Sequence, residues 1–223
     1  MIFSGIELTG RAPFSDVIIN ATVLTREGKR MSKSLGTGID PLMLVDKYGA
    51  DGTRFGLAWQ MTESQDIHFN EDNMLAGKKF VNKLWNASRF AMLQLEGKKT
   101  LYPDRRPTPL TAADRKIIGG AKRIAKSTGQ NIEKYRLGAA SRDLYEFFWH
   151  DFCDTYIEKA KVQIREAKTP RAADNTRAIL LWTLATCLKL LHPFIPFATE
   201  EIYSFLPVKG KEALIIENWP EIK

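Results

Sequence analysis

The sequence predicts a mainly α protein, an antiparallel helical bundle preceded by a small α/β connecting module, on three observations. From residue 71 onward apolar residues recur at helical spacing through several long stretches, whereas the first seventy residues mix short β-branched runs with short helical ones. The long stretches are separated by breaks rich in Pro and Gly, which favours neighbouring helices that run antiparallel. The charge changes at the same place: residues 1–70 carry a net −1 and residues 71–223 a net +8. Two parts are therefore expected, 1–70 and 71–223.

With 223 residues and 44% apolar content, the chain is long enough to bury a sizeable core. Its 26% charged residues are dispersed without a low-complexity tract, which argues against disorder. No apolar run approaches the roughly 18 uncharged residues of a membrane span. Met1 is followed by Ile2, Phe3 and Ser4 rather than by a basic leader, so a cytoplasmic protein without a membrane partner is expected. Cys153 and Cys187 lie far apart and read as small apolar helix residues. His68 and His192 are isolated. His150 has Cys153 and Asp154 at helical spacing, but no further ligand completes a metal site, so none is expected.

In chain order, Val17-Ile18-Ile19 reads as a strand that Val23-Leu24 extends or pairs with, and Arg26-Glu27-Gly28 supplies a turn. Asp40-Pro41 starts a helix that Gly49 ends. Asp51 is expected to cap a second helix carrying Arg54, Phe55 and Trp59, and 66–69 looks extended. A first long helix is expected over 71–95, with Met74, Val81, Leu84, Ser88, Ala91 and Leu95 along its stripe. A loop rich in Pro and Arg covers 97–109. Thr111 and Asp114 have capping-box spacing and open a helix to about Tyr135. A third helix spans 137–165, with Phe147, Phe148 and Phe152 as core, and Thr169-Pro170 ends it. A fourth covers 171–191, a shorter one 194–206, and Leu214-Ile215-Ile216 reads as a final strand.

The stretch richest in chemistry is Gly28-Lys29-Arg30-Met31-Ser32-Lys33-Ser34-Leu35-Gly36. Lys29, Arg30 and Lys33 fall within five residues, interleaved with two hydroxyls and bracketed by glycines. Such a loop can wrap a polyphosphate: cations supply charge, and hydroxyls and backbone N–H groups donate to phosphate oxygens. A solvated basic hairpin is the alternative. Arg30-Met31-Ser32-Lys33-Ser34 resembles the Lys-Met-Ser-Lys-Ser signature of class I aminoacyl-tRNA synthetases. Leu35-Gly36, Ile39-Asp40-Pro41, Gly49-Ala50-Asp51 and Arg54-Phe55 follow in the order of that family. The resemblance implies that Arg30, Ser32, Lys33 and Ser34 bind ATP, and that Lys33 is catalytic, offsetting charge on the pyrophosphate leaving group. Arg30 stands where the family has lysine, with a fork geometry in place of a point charge. Thr37-Gly38 and Gly52-Thr53 also depart from the commonest family residues, which suggests a looser backbone after the loop.

Leu190-Leu191-His192-Pro193-Phe194 with Thr199-Glu200-Glu201 is similar to the leucine, isoleucine and valine branches. Gln65-Asp66-Ile67 with Phe69, the run 82–90 and the run 147–158 resemble the valine branch, with the isoleucine branch next. The likeness extends from about Asp16 to Trp219. It implies ATP with Mg2+ as the whole enzyme's cofactor, none of it held by protein ligands here, and valine, ATP and valine tRNA as partners of a monomer. Ser4 to Pro13 resembles mid-domain sequence, so Met1 is expected to begin an internal segment. The His-Ile-Gly-His nucleotide-binding fold and the editing domain are absent, so this chain alone is expected to be inactive.

Within the bundle, Phe90 falls ~120° from the stripe centred on Leu84, on the side of Lys79 and Lys83. It either stacks an unpaired RNA base or packs on a neighbouring element such as the proline-rich loop. Arg89 is adjacent. Arg115, Lys116, Lys122, Arg123 and Lys126 either line an anticodon stem or are solvated charges. Three functions stay open: a ligase segment, a stand-alone tRNA-binding module, and a helical protein-interaction domain. Steep salt dependence of binding separates the first two from the third.

Overall fold

The computed structural model describes residues 1–19, 21–32, 36–62, 66–95, 107–207 and 213–220. Helix α1, Ile2–Thr9, buries none of its side chains and ends at Gly10, whose φ is 67°. Strand β1, Thr22–Leu24, pairs in parallel with β2, Asp66–His68, placing Val23 opposite Ile67. The strand expected at Val17-Ile18-Ile19 does not form, and all three side chains are exposed. A β-branched run needs a partner edge, and the edge of β1 not taken by β2 is taken by Arg30.

Helix α2, Pro41–Tyr48, opens as predicted: the Asp40 carboxylate accepts the Leu42 N–H at 3.0 Å and Pro41 occupies the first turn. After Gly49 the chain enters α3, Ala50–Gln60, at once. Asp51 lies inside that helix and does not cap it, because its carboxylate is committed elsewhere. Helix α4, Asp72–Leu93, crosses α3 at very short range. A Cβ on Gly77 would stand 2.3 Å from the Gly52 carbonyl oxygen, and one on Gly56 would stand 2.6 Å from that of Asn73. Gly52 thus serves close backbone packing, where the sequence suggested a loose backbone. Phe80 of α4, absent from the predicted stripe, is fully buried and stacks on Phe55 of α3 with ring centroids 4.7 Å apart.

Helix α5, Ala112–Glu133, begins with the predicted capping box, Asp114 N–H donating to Thr111 Oγ1 and Thr111 N–H to Asp114 Oδ2. Buried Asp114 also accepts the Tyr156 hydroxyl at 3.1 Å. The helix expected over 137–165 is continuous but not uniform. It comprises α6, Leu137–Glu146, a π-helical segment, Phe147–Ile157, and α7, Glu158–Arg165. The wider π turn brings Phe147, Phe148, Phe152, Cys153, Tyr156 and Ile157 into the core together. Helix α8, Pro170–Leu191, is capped by Thr169 and buried nearly all round in its second half, so it forms the centre of the bundle. Helix α9, Pro196–Phe205, follows. The strand expected at 214–216 is instead a single 3-10 turn, Leu214–Ile216. Glu200 explains it, because its two carboxylate oxygens take the Leu214 and Ile215 N–H groups that a strand ladder would need. Cys153 and Cys187 are buried helix residues, and burial pushes the Cys153 thiol up to about 12.

Candidate nucleotide loop and nucleic-acid interface

The loop that carries Arg30 is anchored at its base. Leu24 bridges Arg30 in the antiparallel sense, Met31 N–H donates to the Val23 carbonyl, and Thr25 N–H donates to that of Lys29. Gly28, with φ at 80°, closes the turn between these two segments. On the far side of the loop, Thr37 and Gly38 N–H groups donate to the Ser32 carbonyl at 3.2 and 3.1 Å, and Ser32 N–H donates to the Thr37 hydroxyl at 3.0 Å. Thr37 therefore pins the loop exit, where the sequence suggested looseness. Met31 points inward and packs on a small cluster of Leu44, Tyr48, Phe69 and Met74. Arg30 is exposed, as is Lys29, and among the described residues neither has an ion-pair partner. Lys33 and Ser34, together with Leu35 and Gln65, lie outside the described residues.

Behind the loop, α3 ties this module to the bundle through polar contacts. Asp51 Oδ1 and Oδ2 accept the Phe197 and Ala198 N–H groups at 3.2 and 2.6 Å, capping α9. Burial raises the Asp51 carboxyl above its usual range, against the lowering effect of those two N–H groups. Arg54 donates to the Pro193 carbonyl at 3.0 Å and Arg142 of α6 to that of Trp59 at 2.9 Å. His192 stands over the same junction. Thr199 Oγ1 donates to the Ile195 carbonyl, so it accepts from His192 Nδ1 at 2.8 Å. The other ring nitrogen, Nε2, is shielded and has no hydrogen-bond partner. Burial holds the His192 pKa below its usual value, although Glu200 and Asp51 pull it upward.

The predicted RNA contacts divide by environment. Lys79 and Arg89 are exposed on α4. Lys83 is engaged internally, 3.0 Å from Asp154 and over the Trp149 ring at 4.9 Å. Phe90 is half-buried and packs on the core, with the Lys161 ammonium 5.0 Å from its ring centroid. Its neighbour is thus α7. On α5, Lys116 approaches Asp151 at 4.0 Å, and Arg123 lines an open groove of about 250 Å³ with Asp143, Glu146 and Asp151. Arg115, Lys122 and Lys126 do not line that groove and have no ion-pair partner among the described residues.

These features match a family in two blocks, with residues 71–113 between them. The family model of tRNA synthetases class I (I, L, M and V) matches residues 1–70, and that of the anticodon-binding domain of tRNA ligase matches residues 114–223. The chain belongs to the class I tRNA synthetases. It is 43% identical to the valine–tRNA ligase of Listeria innocua over 223 residues, all of this chain and 25% of that protein. To that of Bacillus subtilis (strain 168) it is 40% identical over 222 residues, again 25% of the relative. The chain thus spans about a quarter of the length of the curated relatives it matches. The fold is shared with LeuRS of Agrobacterium radiobacter K84 in its ternary complex with tRNA and LeuAMS (TM-score 0.76, 21% identity, 99% of this chain and 26% of that one). It is also shared with the Mycobacterium tuberculosis methionyl-tRNA synthetase in complex with methionyl-adenylate (TM-score 0.66, 19% identity, 84% and 38%).

In this class I synthetase segment the sequence reading missed one group of cations. The start of α5, the end of α7 and the start of α8 meet at one end of the bundle, and Lys161 of α7 reaches Phe90 of α4. Gln163 there donates to Thr111 Oγ1 and accepts from Thr176. Lys159, Lys161, Arg165, Lys168 and Arg171 are exposed along α7 and the start of α8, with Lys161 paired to Glu158 at 2.7 Å and Arg165 to Glu166 at 2.9 Å. The signal was available: these cations flank the Thr169-Pro170 break, where basic residues favour the end of the preceding helix. What sequence could not give was the contact of Lys161 with Phe90 of α4.

Proposed function

We propose that this chain is the segment of a valine–tRNA ligase that supplies the ATP-phosphate loop and holds the anticodon stem-loop of valine tRNA. The observation that carries the reading is the placement of the two sites on one helix. Met74, near the start of α4, joins the cluster on which Met31 of the loop packs, and Phe90 stands at the other end among the exposed cations. Sixteen helical residues separate them, about 24 Å. Lys33, with Arg30, Ser32 and Ser34, contacts ATP phosphates; Mg2+ carried with the ATP would supply further positive charge there, and the valine pocket lies in the part of the enzyme outside this chain. The basic end of the bundle neutralises RNA phosphates, and the exposed part of the Phe90 ring meets an unpaired base. The boundary near residue 70 separates the loop module from the anticodon-binding part. The enzyme acts as a cytoplasmic monomer.

The test is binding of this chain to valine tRNA and to the same tRNA with its anticodon loop changed, each at two salt concentrations. Preference for the unaltered loop supports an anticodon reader, and Phe90→Ala should then erase the preference. Equal, salt-sensitive binding to both would reduce the bundle to a basic surface, and no binding at low salt would refute the reading. ATP–pyrophosphate exchange by this chain alone should be absent.

A further inference from the structure

Three glycines in α5 have different surroundings. A Cβ on Gly120 would meet the Phe147 ring at 2.7 Å, and one on Gly129 would meet Trp219 at 3.4 Å, so the fold accounts for both. Gly119 is different. A Cβ there would meet only the far end of the flexible Arg123 side chain, at 3.7 Å, in ordinary contact. A glycine in a helix interior is less favourable than alanine, and no packing contact among the described residues repays it at Gly119.

Its neighbours supply a reason. Arg115, Gly119, Lys122 and Lys126 follow at intervals of four, three and four, which confines them to about 60° of the helix circumference. The strip lies outside the buried arc of α5, which runs from Gly120 through Ile117, Ala121, Ile124 and Thr128 to Ala125 and Ile118; Arg115 and Lys126 are exposed, Gly119 and Lys122 half-buried. Its three cations have no ion-pair partner among the described residues, whereas Lys116 on the next ridge is paired with Asp151. We infer that this strip is a track for an RNA phosphate backbone, with Gly119 as the point of closest approach. The unpaired cations release counterions on contact, and the missing Cβ lets a sugar-phosphate chain lie against the helix. The inference rests on the RNA-binding reading above and adds to it the path of the backbone along α5 and the part of Gly119 in it.

The experiment measures binding of this chain to a fluorescently labelled valine tRNA transcript across a salt series, with thermal unfolding measured alongside. Lys122→Ala/Lys126→Ala should weaken binding roughly tenfold to thirtyfold at physiological salt and lower the slope of log K against log salt by about 1.5. Arg26→Ala/Lys47→Ala removes the same charge at positions paired with Asp72 and Glu71, and should leave the slope unchanged. Gly119→Ala should raise the melting temperature while weakening binding about threefold or more, a combination that a purely structural glycine cannot give. Equal slopes for the two double variants, or a Gly119→Ala variant that is stabilised and binds normally, would overturn the strip and leave the RNA-binding reading intact. Failure of the unaltered chain to bind at low salt would overturn both.

Discussion

Asp51 and Ala198, 147 positions apart in the chain, are joined by a hydrogen bond of 2.6 Å in which the carboxylate of one helix caps the start of another. With the companion bond from Phe197, Asp51 satisfies two of the N–H groups that α9 leaves open at its first turn. Asp51 is itself buried, so no solvent stands ready to replace it. Asp51→Ala should therefore cost about 1–3 kcal/mol in thermal or denaturant unfolding, the range for leaving buried donors unpaired. Asp51→Asn, which keeps one acceptor oxygen, should recover part of that loss. Equal stability of the alanine variant and the parent would exclude the capping role.

The same junction should respond to acid through His192. Its side chain is 15% exposed, and a proton on Nε2 would face Glu200 Oε2 at 4.0 Å, beyond hydrogen-bonding reach. Burial therefore depresses its pKa below the ordinary 6.5. The folded state then binds this proton less readily than the unfolded chain, so stability is full above 6.5 and is lost as pH falls through the depressed value. Glu200, Asp51 and Arg54 face the junction, and the two carboxylates moderate the effect. In unfolding curves taken between pH 7 and 5, His192→Asn should show a shallower loss than the unaltered chain. Parallel curves would show that His192 does not titrate with unfolding.

Local spacing made some of this legible and distance hid the rest. The Thr111–Asp114 capping box and the Asp40-Pro41 helix start are contacts within three residues, so sequence alone displays both partners. The order of the helices follows from their apolar period and from Thr169-Pro170. Asp51 looked like a cap for its own helix because its true partners lie in α9. Phe80 escaped the predicted stripe because Phe55 and Phe148, which bury it, come from other elements. The π segment was invisible because its residues keep the apolar pattern of a helix while changing its pitch. At the site, the exposed charge of Arg30 was legible. The pairing of Lys83 with Asp154, 71 positions away, was not.

The α3–α4 crossing supplies a stability test whose sign runs against helix propensity. Alanine is favoured over glycine in a helix by about 1 kcal/mol, so Gly77→Ala would stabilise α4 if only local preference mattered. The new Cβ would, however, fall 2.3 Å from the Gly52 carbonyl oxygen, a backbone atom that cannot rotate away. The helices must separate, and overpacking of this kind costs about 1–3 kcal/mol. The expected outcome is a net loss in melting temperature. A stabilised Gly77→Ala would mean that the two helices sit further apart than the structure has them.

Thr37 should govern the loop without governing the fold. Its hydroxyl accepts the Ser32 N–H at 3.0 Å, while two backbone bonds to the Ser32 carbonyl do not depend on its side chain. Thr37→Val keeps the shape and removes the acceptor, together with the hydroxyl's longer bond to the Arg30 carbonyl at 3.3 Å. Losing one such bond is worth about 1 kcal/mol, which corresponds to a rise of about fivefold in the opening equilibrium that amide hydrogen exchange reads at Ser32. The melting temperature should stay nearly constant, because Thr37 lies outside the residues that form the two apolar cores. Thr37→Ser should restore slow exchange. If exchange at Ser32 is the same in all three forms, the two carbonyl bonds alone hold the base of the loop, and the hydroxyl is incidental to its geometry.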